Sequence, residues 1–585
     1  MTVNDVPMGS ILEVLYHGVS LDVTTACYLL AVPFLLTAVT MFTQRFPIAV
    51  IMKGYSVIIA ILLGVIIISD AYLYTFWQFK LDATALFYLQ SPGEAFASIS
   101  LGYLALRLLM IIVLSACIGY ALCRATNRFY YNLTSLTCHW TLRLISVVLG
   151  SGIIFLCIRG GVSESTSNPG QVYFSTENKL NHSAVNPAFN LFYSLGKQQD
   201  FSRAYHNLDD KQCDRLFAEI YKKQPSDSTI SILRKTRPNV LIIIMEGIGD
   251  QFIQSLGGVP NATPNLDKLI SESTVFTNCY ANSFRTDRGV VCALSGYLGM
   301  PTTSIMKMAD KAGTLPSIAR TLLSNGYKTS FLYGGDINFT NMQGYLRSTG
   351  YETLVSKDNF SLEEQHSNAW GVQDHITFDY LYREMICKQN AMQSKPWLLT
   401  FLTLSSHEPY IVPYHRMNTT IEENAVAYTD DCLGKLITKL KQNKALWDNL
   451  LIVILSDHGR HYPSTQDYTT PSQYKIPLIF AGGAVNGNVH FEYPINQSDL
   501  SATLLTQMGL PSDDFKFSRN VLSNHYRPYA CFTFTDGFGA VDQQGIITYD
   551  FGSHKVLNRY DNPADSLLNY GMMSVQSVYN DIAKR

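Results

Sequence analysis

The sequence predicts an α-helical transmembrane domain followed by an α/β sandwich with a mainly parallel central sheet. Three observations lead there. Apolar runs of about 20 residues recur through the first 160 residues with few charges between them. Four short, uninterrupted β-rich runs then punctuate the second half, separated by segments of helical length. The chain has 585 residues, more than one ordinary domain, so at least two units are expected, each able to bury a core.

Bulk composition averages these unlike parts. A net charge of −2 with only 15% charged residues leaves no basic footprint, so no nucleic-acid partner is expected.

The four apolar runs lie near Thr25–Phe42, Val57–Trp77, Ile99–Leu122 and Leu142–Ile158. Any one could be a buried core helix. Four in succession, with Tyr72, Trp77, Tyr103 and Trp140 near their ends, read instead as spans with aromatic residues at the interface. Arg45 and Lys53 flank the first connection, and Arg124, Arg128 and Arg143 the third, whereas the second offers only Lys80 beside Asp82 and Glu94. The positive-inside rule makes the first and third connections cytoplasmic and everything after Ile158 external. Four spans put the N-terminus outside as well, so either Met8–Tyr16 forms a fifth, short helix or the start of the chain is abbreviated. No cleavable signal peptide is visible.

Residues 161–236 read as an extracytoplasmic linker, because the chain turns polar after Arg159, with Gly160-Gly161 and a Ser/Thr/Asn-rich stretch to Asn168. Within it, Leu216, Ile220 and Tyr221 recur at helical spacing in Asp209–Lys222, a patch expected to pack on the domain at 237–585. Of 11 cysteines, six lie beyond the membrane block, at 213, 279, 292, 387, 432 and 531. None forms a C-x-x-C pair, which argues against structural zinc, and apolar-flanked ones such as Cys292 read as packed thiols.

The β-rich runs share one design. Asn239–Met245 stops at Glu246-Gly247, Lys328–Tyr333 at Gly334-Gly335-Asp336, Trp397–Leu404 at Ser405-Ser406-His407, and Leu450–Leu455 at Ser456-Asp457-His458-Gly459. Helical segments are expected at Thr314–Asn325 and Asp431–Gln442, and this alternation implies a mainly parallel sheet. In such sheets ligands sit beyond the carboxyl ends of the strands, where each run delivers its polar residues. One carboxylate at a strand end is usually a turn former or cap; the coincidence of several suggests a site.

Thr286 precedes an apolar helix in Phe284-Arg285-Thr286-Asp287-Arg288-Gly289, about where an N-cap would stand, a role worth roughly 1 kcal/mol. The same geometry lets a hydroxyl face free backbone N–H groups that suit an incoming phosphate. Glu246, Asp457 and His458 as ligands with Thr286 as nucleophile are what a metal-activated phosphoryl or sulfuryl transferase needs.

Asn239–Glu246, Thr286 with its helix, the stretch from Leu402 to Tyr410, and Ser456-Asp457-His458-Gly459 resemble the lipoteichoic acid synthase family, within the alkaline phosphatase and sulfatase superfamily. The resemblance covers nearly the whole chain, since those enzymes place a multi-span block before an extracellular catalytic domain. It implies an alkaline phosphatase/sulfatase-like sandwich, metal ligation by Glu246, Asp457 and His458, Thr286 as a metal-bound nucleophile, and His407 beside the transferred phosphoryl group. It implies one divalent cation, manganese foremost, with zinc or magnesium as alternatives; oxygen-rich ligation with one imidazole suits manganese. It further implies a bacterial cytoplasmic membrane, a membrane phospholipid donor, a phospho-threonine intermediate, and an envelope glycan or lipid acceptor.

The stretch Tyr333–Met342 departs from the family. Glycerol-phosphate polymerising members carry a histidine, a tryptophan and an arginine there, and all three are missing. Asp336 and Asn338 are candidates to recognise a different head group, such as an amine, or are turn formers after Gly334-Gly335. Sulfatase activity needs a modifiable cysteine or serine and a following proline, neither of which Thr286-Asp287-Arg288-Gly289 supplies.

A hydrolase of phosphate or sulfate esters with the same fold is the alternative reading, and a non-catalytic membrane binding protein the second. The intact ligand set argues against the latter. Arg460-His461-Tyr462 could line the pocket, Asp374 reads as an N-cap, and Asp513–Arg519 as a surface turn.

Overall fold

A computed structural model describes residues 7–42, 48–77, 80–82, 101–133, 139–195, 201, 203–223, 228–391, 395–463, 467 and 469–585. It divides into two compact units, Met1–Gln199 and Asp200–Arg585.

The first unit contains helices α1 (Met8–Phe42), α2 (Ile48–Trp77), α3 (Leu101–Leu133) and α4 (Trp140–Arg159), and each is long and apolar enough to cross a membrane. All four predicted runs fall on them; the predicted start at Ile99 lies outside the described residues. Their large side chains point outward, Ile112, Leu149 and Phe155 among them, as suits helices solvated by hydrocarbon rather than water. Met8–Tyr16 is no separate helix among the described residues but the first turns of α1, which continues through Pro33. Lys80, the lone basic residue of the second connection, is paired with Asp70 of α2, and Asp70 Oδ1 also accepts the Leu81 amide at 2.8 Å.

The stretch 161–236 is not one linker. Gly160 ends α4 in the left-handed conformation, φ 93°, and the chain folds back so that Thr24 and Ser167 hydroxyls lie 3.3 Å apart. Helices α5 (Asn178–Ala184) and α6 (Pro187–Leu195) then pack on α1 and α2. The later part belongs to the second unit, where α7 (Asp210–Tyr221) is capped by Asp209 accepting the Gln212 amide at 3.1 Å. Its buried Cys213, Leu216, Ile220 and Tyr221 face the C-terminal helix Ser566–Lys584, as the spacing predicts. Polar composition here marks wet faces of short helices, not absence of structure.

The second unit is built on a nine-stranded sheet and a four-stranded one. The large sheet comprises β1 (Asn239–Met245), β2 (Thr274–Tyr280), β3 (Lys328–Tyr333), β4 (Thr353–Val355), β5 (Trp397–Leu402), β6 (Leu450–Ser456), β7 (Lys475–Ala481), β8 (Val489–Phe491) and β9 (Ile495–Asn496). Their order is β4-β3-β5-β1-β6-β7-β2-β8, with β9 on β2; β7 runs antiparallel to its neighbours and the remaining pairs are parallel. The small sheet is an antiparallel meander of β10 (Ala530–Phe534), β11 (Gly537–Val541), β12 (Gly545–Asp550) and β13 (Lys555–Asp561), backed by the C-terminal helix.

Side-chain alternation explains why the central strands are apolar throughout. Val240, Ile242 and Ile244 of β1, with Leu451, Val453 and Leu455 of β6, join one core, while Leu241, Ile243, Met245 and Leu450, Ile452, Ile454 join the other. Each fully buried aliphatic side chain contributes about 1.5–3 kcal/mol. Helices cover both faces, the sandwich that the alternating pattern predicts.

The expected helix at Thr314–Asn325 runs only from Ile318 to Ser324: Pro316 disfavours helical backbone before it, and Ser317 caps by accepting the Arg320 amide. The other extends back to Ile421, capped by Thr420. Asp513–Arg519 is not a surface turn, because Phe515 and Phe517 are buried and Arg519 forms a buried ion pair with Asp499, Nη2 to Oδ2 2.6 Å. The six cysteines beyond the membrane helices are free, and all but Cys387 are buried.

Candidate active site

Strand register brings the carboxylates together. In the parallel β1–β6 pair Met245 stands opposite Ser456, so the next residue of each strand, Glu246 and Asp457, leaves the sheet side by side. Ligand atoms of Glu246, Asp457 and His458 lie within 4.8 Å of one another. Thr286 arrives from elsewhere. It is the first residue of helix Thr286–Ser295, with Arg285 at the N-cap position, so its hydroxyl is not the cap that the sequence suggests. It donates instead to Glu246 Oε2 at 3.1 Å. That approach requires Gly289, where an added Cβ would meet Asp457 O at 1.8 Å.

A second layer holds these groups. The Glu246 amide donates to Thr403 Oγ1 at 2.9 Å, and Ser406 Oγ donates to Glu246 O at 2.6 Å. Asp457 Oδ1 accepts the amides of Gly247 and His458, both at 2.9 Å, and Gln497 Nε2 donates to the carbonyls of Ser456 and Asp457, both at 2.7 Å. His458 Nδ1–H donates to Gly459 O at 2.7 Å, which turns Nε2 toward the carboxylates, 3.3 Å from Asp457 Oδ2 and 3.5 Å from Glu246 Oε1.

The electrostatics of the trio suit a cation. Burial and the adjacent Glu246 carboxylate push Asp457 above the usual range, while burial works against charge on His458 and the two carboxylates overcome it, raising it. Glu246, which burial alone would raise, is held low by its hydrogen bond to His458 and that residue's charge. Asp457 Oδ2 is buried without a hydrogen-bond donor. Two carboxylates, an imidazole and a hydroxyl with one orphaned oxygen fit a divalent ion, and the set does not choose among manganese, magnesium and zinc.

Glu246, His458 and Thr286 open into a cleft of about 900 Å³, with Asp457 buried behind them. His407 lines it, its Nδ1–H donating to Glu408 O at 2.9 Å and its ring 4.7 Å from that of Trp370. Asp374 is no N-cap. Gln373 holds that position, while Asp374 accepts the Leu404 and Ser405 amides at 2.9 and 3.2 Å and so anchors the turn that carries His407.

Asp336 and Asn338 do not line the cleft. Asp336 Oδ1 accepts the Asn338 amide at 2.9 Å, a turn role, and the same segment contributes Tyr333, Phe339, Thr340 and Met342 to the wall instead. Sequence reasoning overlooked Lys307 and Trp370, which also line it. Trp370 was findable, as one of five tryptophans in the chain and the one standing in a Gly-flanked loop among polar residues. Its Nε1 donates to Glu408 O at 2.6 Å. Arg460, noticed only as a possibility, lies over Tyr410 with its guanidinium donating to Ser406 O.

A threonine hydroxyl, two carboxylates and a histidine thus meet at the carboxyl ends of a mainly parallel sheet. Residues 238–510 match the family model described as Sulfatase. Phosphoglycerol transferase I of Xanthomonas campestris pv. campestris (strain B100) is 25% identical over 315 residues, 50% of this chain and 44% of that protein, so the chain spans less than half of that relative's length. Among solved structures, a protein of the alkaline phosphatase superfamily from Vibrio parahaemolyticus matches with a TM-score of 0.57 and 24% identity, over 65% of this chain and 97% of that one. The lipoteichoic acid synthase LtaP from Listeria monocytogenes matches with a TM-score of 0.51 and 15% identity, over 64% and 98%. The chain is thus similar to the Sulfatase family over residues 238–510, and it shares the fold of these two structures over about two thirds of its length.

Proposed function

We propose that this chain is a membrane-anchored, extracytoplasmic phosphotransferase that moves a phospholipid head group onto an envelope glycan or lipid acceptor. The contact between Thr286 Oγ1 and Glu246 Oε2, inside the Glu246–Asp457–His458 cluster, carries the reading. The name phosphoglycerol transferase I borne by its relatives favours phosphoglycerol as the group transferred, with phosphoethanolamine as the alternative.

Glu246, Thr286, Asp457 and His458 would hold the divalent cation. When bound, that ion supplies charge shielding and a lowered hydroxyl pKa. Thr286 Oγ bonds to phosphorus as the bond to the diacylglycerol oxygen breaks, and a proton passes to that leaving oxygen. His407 is the group to hold it, since Nδ1–H is committed to Glu408 O and Nε2 is left for exchange. An acceptor hydroxyl then takes the group from Thr286 and restores it. The aromatic part of the cleft wall, half-buried Trp370 with Phe339 against it, would shield the phospho-threonine from water, which favours transfer over hydrolysis.

The test is to incubate the purified enzyme with phosphatidylglycerol or phosphatidylethanolamine carrying labelled head groups. One lipid should yield diacylglycerol and a labelled enzyme, with the label on Thr286, and Thr286→Ala should abolish both. Full turnover by Thr286→Ala would overturn the mechanism, and release of free head-group phosphate at the same rate with and without acceptor would make the enzyme a hydrolase.

A further inference from the structure

A second cleft, of about 1020 Å³, opens between the end of β2 and the start of β7 in the large sheet and the small meander. Three residues that line it each carry a buried oxygen without a donor: Asp250 Oδ1, Gln251 Oε1 and Asn278 Oδ1. Asp250 is 6% exposed. The amide of Gln251 is fixed in orientation, because its Nε2 donates to Arg460 O at 2.7 Å, which turns Oε1 away from that bond. Burial pushes Asp250 up to about 7, with Lys475 only partly opposing it. Buried polar oxygens in native proteins are nearly always satisfied, so three in one cavity call for donors from outside the chain.

The rest of the lining says which donors. Tyr462, Tyr493 and Tyr560 supply aromatic surface. Glu492, Asp542 and Asp561 add carboxylates, and among the described residues Lys475 is the only basic one lining it. An excess of carboxylates disfavours phosphate or any polyanionic chain. Hydroxyl groups on a neutral ring that stacks on tyrosine satisfy both features.

We propose that this cleft is a saccharide-binding site for an uncharged oligosaccharide, distinct from the Thr286 cleft. Its hydroxyls would donate to Asp250, Gln251 and Asn278 while its rings lie on the tyrosines. Gln251 links the two clefts, since the Arg460 carbonyl it holds belongs to the residue lining the Thr286 cleft. The site therefore suits the glycan acceptor, an assignment that rests on the transfer reading, although saccharide binding itself does not.

The experiment is calorimetric titration of the full chain in detergent with cellotetraose, maltotetraose and chitotetraose, without lipid donor. At least one should bind, at least tenfold more weakly to Asp250→Asn and to the rim variant Tyr560→Ala, and equally to Thr286→Ala. No binding by any of the three, or binding that both cleft variants leave unchanged, overturns the proposal, as does displacement by glycerol 1-phosphate or a calcium ion bound through Asp250. Because no lipid is present, failure of the transfer reaction leaves this result interpretable.

Discussion

The Thr286 hydroxyl points at the Glu246 carboxylate, 3.1 Å from Oε2, although 40 residues and a change of element separate them. A helix start and a strand end meet there. Glu246 is thereby placed to orient the hydroxyl as well as to hold a cation.

Thr286→Ser should keep the nucleophile and lose only the methyl group. Single-turnover release of diacylglycerol should then fall modestly, whereas Thr286→Ala should fall on the order of 10³-fold or more. Equal rates for the two variants would show that the hydroxyl is not the attacking group.

Gly289→Ala places a Cβ 1.8 Å from Asp457 O, so the helix must retreat from the strand end. Overpacking of this kind costs about 1–3 kcal/mol. Urea unfolding should detect that loss, and metal analysis should report lower content, because the Asp457 backbone moves with it. Unchanged metal content would separate the helix position from ligation.

Chelation should lower the melting temperature, since a ligand at 100 times its Kd stabilises by about 2.7 kcal/mol. Glu246→Gln and Asp457→Asn should melt at the same temperature with and without chelator. A chelator effect that survives in both variants would assign the ion to other residues.

Stability should depend on pH through Asp250. Its folded pKa stands raised at about 7 against roughly 3.9 unfolded, so the folded state binds more protons between those values and loses stability as pH rises through them. Asp250→Asn removes that loss, so its melting temperature relative to the parent should climb from pH 5 to pH 8, by about 3 kcal/mol of free energy. A flat difference would mean that Asp250 is ionised throughout.

Arg519→Met strands a buried carboxylate. Asp499 is fully buried and paired to Arg519 at 2.6 Å, and breaking such a pair costs about 3–5 kcal/mol. Chemical denaturation followed by near-ultraviolet circular dichroism should register it, and the paired change Asp499→Leu with Arg519→Met should recover most of the loss.

The legible parts of this protein are those written in short windows. Asn239–Met245 announces a buried strand by seven consecutive residues, and the Asp457-His458 pair is visible because a β-rich run stops just before it. The apolar block is equally plain, since a span needs about 20 apolar residues in a row. Asp374 was misread because an acidic residue before a helix looks the same whether it caps that helix or anchors another strand. Asp336 and Asn338 failed likewise: the turn that places them was foreseeable, but the direction of its outer residues was not.

The sequence by itself determined the two-part architecture, the strands, and which residue types stand at their ends, because periodicity and turn chemistry act over a few residues. Only the tertiary structure decided that Met245 lies opposite Ser456, that Trp370 stands over His407, and that Asp250, Gln251 and Asn278 share a second cleft. Those juxtapositions follow from strand register and packing between residues far apart in the chain, which no local pattern encodes.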